Sequence, residues 1–321
     1  MEYRRLGQTS LELSRIGLGC GNFGGIGSAP ELFGQGESEA EAFALMDAAW
    51  TAGVNFFDTA ASYGGGRSET WIGRWRRDRG AEVVVSTKVY WSVTGDPGDR
   101  GLSRDRIMRE NAGSLERLGV DRVQMYLTHE PDPETPIQET LEALDELVRG
   151  GKVEAIGASN VTAGQLLEAL ETSDDHGLVR YAWVQNELNL LDLDAQDDVR
   201  ETCRHEGLGF TPFSPLAGGW LTGKYTRDAP YPAGSRMTLR PEPYEQLVKE
   251  ETFQALDAFR AAADELGTEP STLAIAWLLA QPDVTAVVVG PRSPEHLRAA
   301  LAALDLGLDQ NRRDELASLF R

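Results

Sequence analysis

Short apolar runs alternate with longer amphipathic stretches along most of this chain. The runs are Ile16–Leu18, Val54–Phe57, Val83–Thr87, Val123–Leu127, Ala155–Ala158, Trp183–Gln185, Phe210–Pro212 and Ala286–Val289. Runs this short and this apolar predict strands covered on both faces. Between them lie Glu39–Ala52, Ser103–Leu118, Ile137–Val148 and Ala163–Glu171, where apolar residues recur at helical spacing and predict helices with one buried face. Thr162 and Ser103 stand where an N-cap belongs, and Gly119 and Gly150 stand just past helix ends.

Eight strand-like runs separated by helices predict an α/β protein whose parallel strands close into a (β/α)8 barrel, with residues 1–321 forming one domain. A doubly wound open sheet is the main alternative. Three features lie outside a minimal barrel. Tyr3 to Ser14 alternates around a Gly-containing turn and predicts an N-terminal β-hairpin. Ala217 to about Lys249 is rich in Gly, Pro and charge and predicts a long functional loop after the seventh strand. Gln310 to Phe320 predicts a C-terminal helix. One glycine pattern misleads. Gly19-Cys-Gly21-Asn-Phe-Gly24 has the spacing of a dinucleotide-binding turn, but Gly25-Ile-Gly-Ser-Ala-Pro30 follows it, where that motif needs a helix. The pattern predicts a loop.

Composition narrows the function. A net charge of −20 and a pI near 4.6 argue against nucleic-acid or anionic-membrane partners, which need basic surface. Local Arg or Lys residues can still hold an anionic cofactor. Cys20 and Cys203 provide neither a disulfide framework nor a metal cluster. The opening residues have no apolar signal-peptide core, and the longest apolar run, Leu273–Ala280, is too short to span a bilayer. A cytoplasmic location is expected.

In a barrel the carboxyl ends of the strands converge on one face. Asp58 ends the second run and Lys88 the third, and His129 follows the fourth. Tyr63 lies five residues beyond Asp58 in a Gly-rich loop. Each residue alone has a structural explanation: a capping or ion-pairing aspartate, a solvated lysine, a core histidine. Together, at the ends of consecutive strands, they form a proton-donating set. A neighbouring ammonium is expected to lower the tyrosine pKa, a carboxylate to hold that ammonium, and an imidazole to align a carbonyl oxygen.

Longer motifs carry a resemblance to the aldo-keto reductase superfamily. Gly53-Val-Asn-Phe-Phe-Asp58-Thr-Ala-Ala-Ser-Tyr63-Gly is similar to that family's signature. So are Leu127-Thr-His129, Gly151-Lys-Val-Glu-Ala-Ile-Gly157-Ala-Ser159-Asn160 and Phe213-Ser214-Pro215-Leu216 with Leu221-Thr-Gly223-Lys224. The hairpin and the long seventh loop resemble the bacterial and potassium-channel-β-like branch.

The resemblance implies NADPH-dependent reduction of a small aldehyde or ketone, with Tyr63 as general acid in a tetrad with Asp58, Lys88 and His129. It implies that Ser159, Asn160 and Gln185 hold the nicotinamide carboxamide, and that Phe213 stacks on the ring where tyrosine is more usual. Ser214, Leu216, Gly218, Gly223 and Lys224 border the pyrophosphate in this reading. Gly290, Arg292 and His296 surround the 2′-phosphate. The family's Glu-Asn pair is replaced here by Ala299 and Ala300, which thins the adenine end. Asn22, Phe23, Tyr90, Trp91 and Trp220 follow strand ends and are expected to wall the substrate pocket.

Three other readings compete. A cofactor-loaded regulatory subunit shares all these motifs. A Schiff-base enzyme built on Lys88 leaves the later motifs unused. A metal hydrolase needs more ligands than four histidines supply when only His129 stands at a strand end, so no metal site is expected.

Overall fold

A computed structural model describes Met1–Arg321. Two short antiparallel strands, β1 (Tyr3–Arg5) and β2 (Glu12–Ser14), form the expected hairpin. An alternation follows: β3 (Ile16–Gly19), α1 (Glu39–Thr51), β4 (Phe56–Asp58), α2 (Arg67–Arg79), β5 (Val84–Val89), α3 (Arg104–Leu118), β6 (Val123–Thr128), α4 (Ile137–Arg149), β7 (Val153–Ser159), α5 (Ala163–His176), β8 (Trp183–Gln185), α6 (Asp197–Glu206) and β9 (Gly209–Phe210). The long loop carries α7 (Arg236–Leu239) between two 3-10 segments, Ala217–Thr222 and Glu242–Leu247. Then come α8 (Glu250–Glu265), α9 (Pro270–Leu279), β10 (Val287–Val289), α10 (Pro294–Ala302) and α11 (Gln310–Ser318).

Strands β3 to β9 pair in chain order, all parallel, and β10 pairs with β3. The two remaining ends meet as well. Thr285 N donates to Phe210 O at 2.8 Å and Val288 N donates to Pro212 O at 2.9 Å. The sheet is therefore a closed (β/α)8 barrel and not a doubly wound open sheet. The glycine-rich stretch from Gly19 runs on as loop, and the next α-helix starts only at Glu39.

The strands bury both faces, and their period of two divides the core. Phe56, Met125, Leu127, Ala155, Trp183, Ala286 and Val288 form one cluster with Leu6, Leu11 and Leu13 of the hairpin. Their neighbours Phe57, Tyr126, Ile156, Val184, Val287 and Val289 pack outward in the larger cluster beneath the helices. The first cluster fills the barrel, and the hairpin leucines close its floor. Gly157 is small because the Trp183 indole occupies the space beside it, where a Cβ would fall 2.6 Å from Cδ2.

The helices start and stop largely where the pattern places them. Thr162 forms a full capping box with Gln165, and Gly119 ends α3 in the left-handed region at φ 66°. Two details differ. Ser103 occupies the N-cap of α3 without a side-chain cap bond, and the Glu139 carboxylate from α4 accepts from Arg104 N in that first turn at 2.9 Å. After α4, Gly150 keeps helical angles and the left-handed turn falls one residue later, at Gly151 with φ 69°.

Candidate active site

The inward face defined by the barrel core continues upward by the same period of two. Phe56 is followed by Asp58, Val84 by Ser86 and Lys88, and Leu127 by His129. Ala155 is followed by Gly157 and Ser159, and Trp183 by Gln185. The apolar filling thus gives way to polar side chains at the carboxyl mouth, where the strands hand over to loops.

Lys88 is the centre of this set. Its Nζ donates to Asp58 Oδ2 at 2.8 Å and to Thr59 O at 2.8 Å, and lies 5.1 Å from the centroid of the Tyr63 ring. Asp58 Oδ1 accepts from Ser86 Oγ at 2.5 Å and from Gln185 Nε2 at 2.9 Å. Lys88 is 2% exposed and Asp58 4%, so the pair is affordable only because each charge is hydrogen-bonded on several sides. Tyr63 is half-buried, with its hydroxyl oxygen 3.5 Å from His129 Nε2. His129 Nδ1 is buried with no protein partner.

The environment sets the proton positions. Burial pulls the Lys88 pKa down, but Asp58 and Tyr63 outweigh it and leave the ammonium above its ordinary range. Burial pushes the Tyr63 pKa up, with Lys88 opposing. The neighbouring lysine does act to lower the tyrosine pKa, as expected, but burial outweighs it and the net shift is upward. Burial, then Lys88, holds His129 well below its ordinary value, so its imidazole is neutral at pH 7. Glu130, beside it, is pushed up to about 7 by burial, with hydrogen bonds from Trp91 and Asn160 opposing.

The other expected residues fall into groups. Ser159 Oγ donates to Gln185 O at 2.6 Å, while Asn160 Nδ2 donates to His129 O at 3.0 Å and Glu130 Oε1 at 3.1 Å. These side chains therefore knit β7 and β8 to the tetrad. Backbone at the mouth is sharply bent. The chain's non-glycine residues with positive φ, Asn160, Ser214 and Ala217, all lie just beyond β7 and β9. Phe213 is half-buried above the barrel filling. Gly218 has φ 64° and takes the Tyr244 ring directly against its Cα. Leu216 N-caps the 3-10 segment and Gly223 ends it at φ 81°.

Lys224, Gly290, Arg292 and His296 are exposed at the same mouth. Arg292 N donates to His296 Nδ1 at 3.4 Å at the start of α10.

Pocket walls divide. Tyr90 and Trp91 stand half-buried beyond β5 in an edge-to-face pair, and Asn22 accepts from Arg236 at 2.6 Å. Phe23 and Trp220 are corrections. Phe23 is 1% exposed and Trp220 is 0% exposed, with Trp220 packed on Tyr225 and Phe253 at 5.2 and 5.6 Å. Both belong to the core and offer a substrate no surface. Being next to a strand end did not separate a wall from a core residue, because loop residues there point both ways.

Ser86 and Arg236 went unnoticed in the sequence. Ser86 carried a usable signal, since it lies two residues before Lys88 on the same strand face. Arg236 carried none, because only the fold of the long loop brings it close to Lys224 and Arg292. Burial, then Arg292 and Arg240, lower its pKa against Tyr244 and Glu37, and Arg236 in turn acts to lower that of Lys224.

The fold and its mouth define a (β/α)8-barrel enzyme with a buried lysine–aspartate pair, a tyrosine and a neutral histidine at the strand ends. Comparison with known proteins gives the family. The model of the Aldo/keto reductase family matches residues 15–320. An uncharacterized oxidoreductase, YrpG, of Bacillus subtilis is 37% identical, with 100% of this chain and 96% of that protein covered. A probable voltage-gated potassium channel subunit beta of Oryza sativa is 36% identical over 95% of this chain and 92% of that protein. An NADH-specific methylglyoxal reductase of Escherichia coli is 34% identical over 98% and 96%. The chain belongs to the aldo/keto reductase family. It is therefore an oxidoreductase of carbonyl chemistry, in a family that works with nicotinamide cofactors. No helix is long and apolar enough to cross a membrane.

Proposed function

We propose that this chain reduces an aldehyde or ketone to the alcohol with NADPH, and that Tyr63 gives the proton. One observation carries the reading: a buried Lys88 ammonium, 2.8 Å from Asp58 Oδ2, lies 5.1 Å from the centre of the Tyr63 ring, whose hydroxyl faces a neutral His129.

The residues at the mouth fit a nicotinamide dinucleotide. Burial lowers the Lys224 and Arg236 pKa values, and the nearby cations Arg236 and Arg292 at Lys224, and Arg292 at Arg236, act in the same direction, which supports a site for anionic charge. Phe213 offers an aromatic face for the nicotinamide, with Ser159, Asn160 and Gln185 at its carboxamide. Ser214, Leu216, Gly218, Gly223 and Lys224 border the pyrophosphate, and Gly290, Arg292 and His296 the adenosine end. NADPH, when bound, supplies a hydride to the carbonyl carbon. Arg292 supports the phosphorylated form of the cofactor.

The chain's own residues manage the proton. Tyr63 keeps its O–H at neutral pH, since a phenol's ordinary pKa is about 10 and burial raises it further. The proton therefore leaves only when negative charge gathers on a carbonyl oxygen beside it. Lys88 then faces the phenolate left behind, and Asp58 holds Lys88 charged and in place. His129 Nε2, 3.5 Å from the phenol oxygen, is free to turn toward a substrate oxygen placed there. Tyr90 and Trp91 wall the pocket, and all 321 residues serve one domain in this reading.

Tyr63→Phe is the direct test. Turnover of a test aldehyde is expected to fall by about 10³-fold, in the range that a positioned general acid contributes. NADPH binding, followed by quenching of protein fluorescence, is expected to stay within about twofold, because the phenol touches the proton and not the phosphates. A variant that turns over at the wild-type rate removes Tyr63 from the mechanism.

The plant channel-β relative supports a second reading, a cofactor-binding regulatory subunit with slow turnover. Single-turnover oxidation of NADPH by an added aldehyde separates the two. Fast oxidation by the chain alone favours the enzyme.

A further inference from the structure

Glu37 is a buried acidic side chain set among the cations of the mouth, where the exposed Glu41 also acts on Arg292 by charge. Glu37 sits at the end of the loop that leaves β3, and its backbone is fixed on both sides. Its N–H donates to Asn22 O at 2.8 Å, and its carbonyl accepts from Gly24 N at 3.0 Å. Gly36 permits this approach, since a Cβ there would run into Asn22 O and Gly25 O.

Glu37 is only 5% exposed. Its Oε1 accepts from Arg292 Nε at 3.1 Å, while Oε2 is buried with no partner. Arg292 is also held from the other side, donating from Nη1 to Gly234 O at 2.8 Å in the long loop. Arg236 lies close enough to Glu37 and Arg292 to interact with both through charge.

We propose that Glu37 determines cofactor specificity, by occupying the guanidinium that a 2′-phosphate needs and so holding the preference for NADPH over NADH to a small margin. The inference rests on the reading that this mouth binds a nicotinamide dinucleotide. The physical reason is competition for one cation. A 2′-phosphate on Arg292 shares that guanidinium with the Glu37 carboxylate, and the two anions repel each other across it. A 2′-hydroxyl carries no charge and meets no such repulsion.

The experiment is a pair of titrations, NADPH and NADH, by protein fluorescence, on wild type, Glu37→Gln and Glu37→Gln/Arg292→Gln. Wild type is expected to bind both, with Kd values within about tenfold of each other. Glu37→Gln is expected to tighten NADPH by about tenfold and change NADH by less than about threefold, since only the phosphate meets the removed charge. The double variant is expected to lose that gain. Equal changes for both cofactors, or weaker NADPH binding in Glu37→Gln, overturn the proposal. Should the Gln variant fail to fold, wild type still decides: a preference for NADPH above about a hundredfold overturns it. A wild type that binds neither cofactor defeats the underlying dinucleotide reading instead.

Discussion

Burial and the neighbouring groups pull against each other at Lys88, Tyr63 and Glu130, and the winner differs by position. At Lys88 the partners win and the ammonium stays charged. At Tyr63 burial wins and the phenol stays protonated. Glu130 also yields to burial, with a carboxyl near 7 against about 4.3 for an unfolded glutamate. The sign follows from linkage. A carboxyl whose pKa is raised on folding costs nothing below about pH 4.3, and its penalty grows as pH rises toward and through 7. Glu130→Gln is therefore expected to raise the urea midpoint at pH 8 and leave it nearly unchanged at pH 4. A gain of the same size at both pH values would mean that the carboxyl is not held neutral by its surroundings. Asp58, Lys88 and His129 were legible in the sequence because an ionisable group after an apolar run stands out. The Glu37–Arg292 pair was not, because 255 residues separate its members.

At the scale of elements, the caps show where local rules hold. Thr162 satisfies α5 with its own side chain, through Gln165 N at 3.3 Å. Ser103 sits in the same kind of position but makes no side-chain cap bond, and a carboxylate from the next helix satisfies a different N–H of that first turn, Arg104 N. Thr162→Ala is expected to lower stability by about 1 kcal/mol, whereas Ser103→Ala is expected to cost less than about 0.5 kcal/mol. Paired urea unfolding of the two variants measures the difference, and equal losses would count against this account. Hydrophobic period and cap residues locate helices because those signals are local. They do not say which donor a distant chain segment will satisfy.

At the scale of the molecule, the hairpin is a structural plug remote from the mouth. Leu13 is 0% exposed in the cluster that fills the barrel. Leu13→Ala is expected to cost about 2–5 kcal/mol, as large-to-small changes in a packed core do. Activity per folded molecule is expected to hold, because the floor and the mouth lie at opposite ends of the strands. A variant that keeps its stability but loses activity would show that the floor communicates with the site.

The sequence by itself determined the eight strands, their alternation with helices, the hairpin, the long loop and the polar residues at the strand ends. Those follow from period, run length and residue type, all properties of neighbours in the chain. Only the tertiary structure decided that the sheet closes through Phe210 and Pro212, and that Trp220 and Phe23 are core. It alone set burial above the lysine at Tyr63, and it alone brought Glu37 onto Arg292. Each of these depends on desolvation and on contacts between residues far apart in the chain, and neither is written in local pattern.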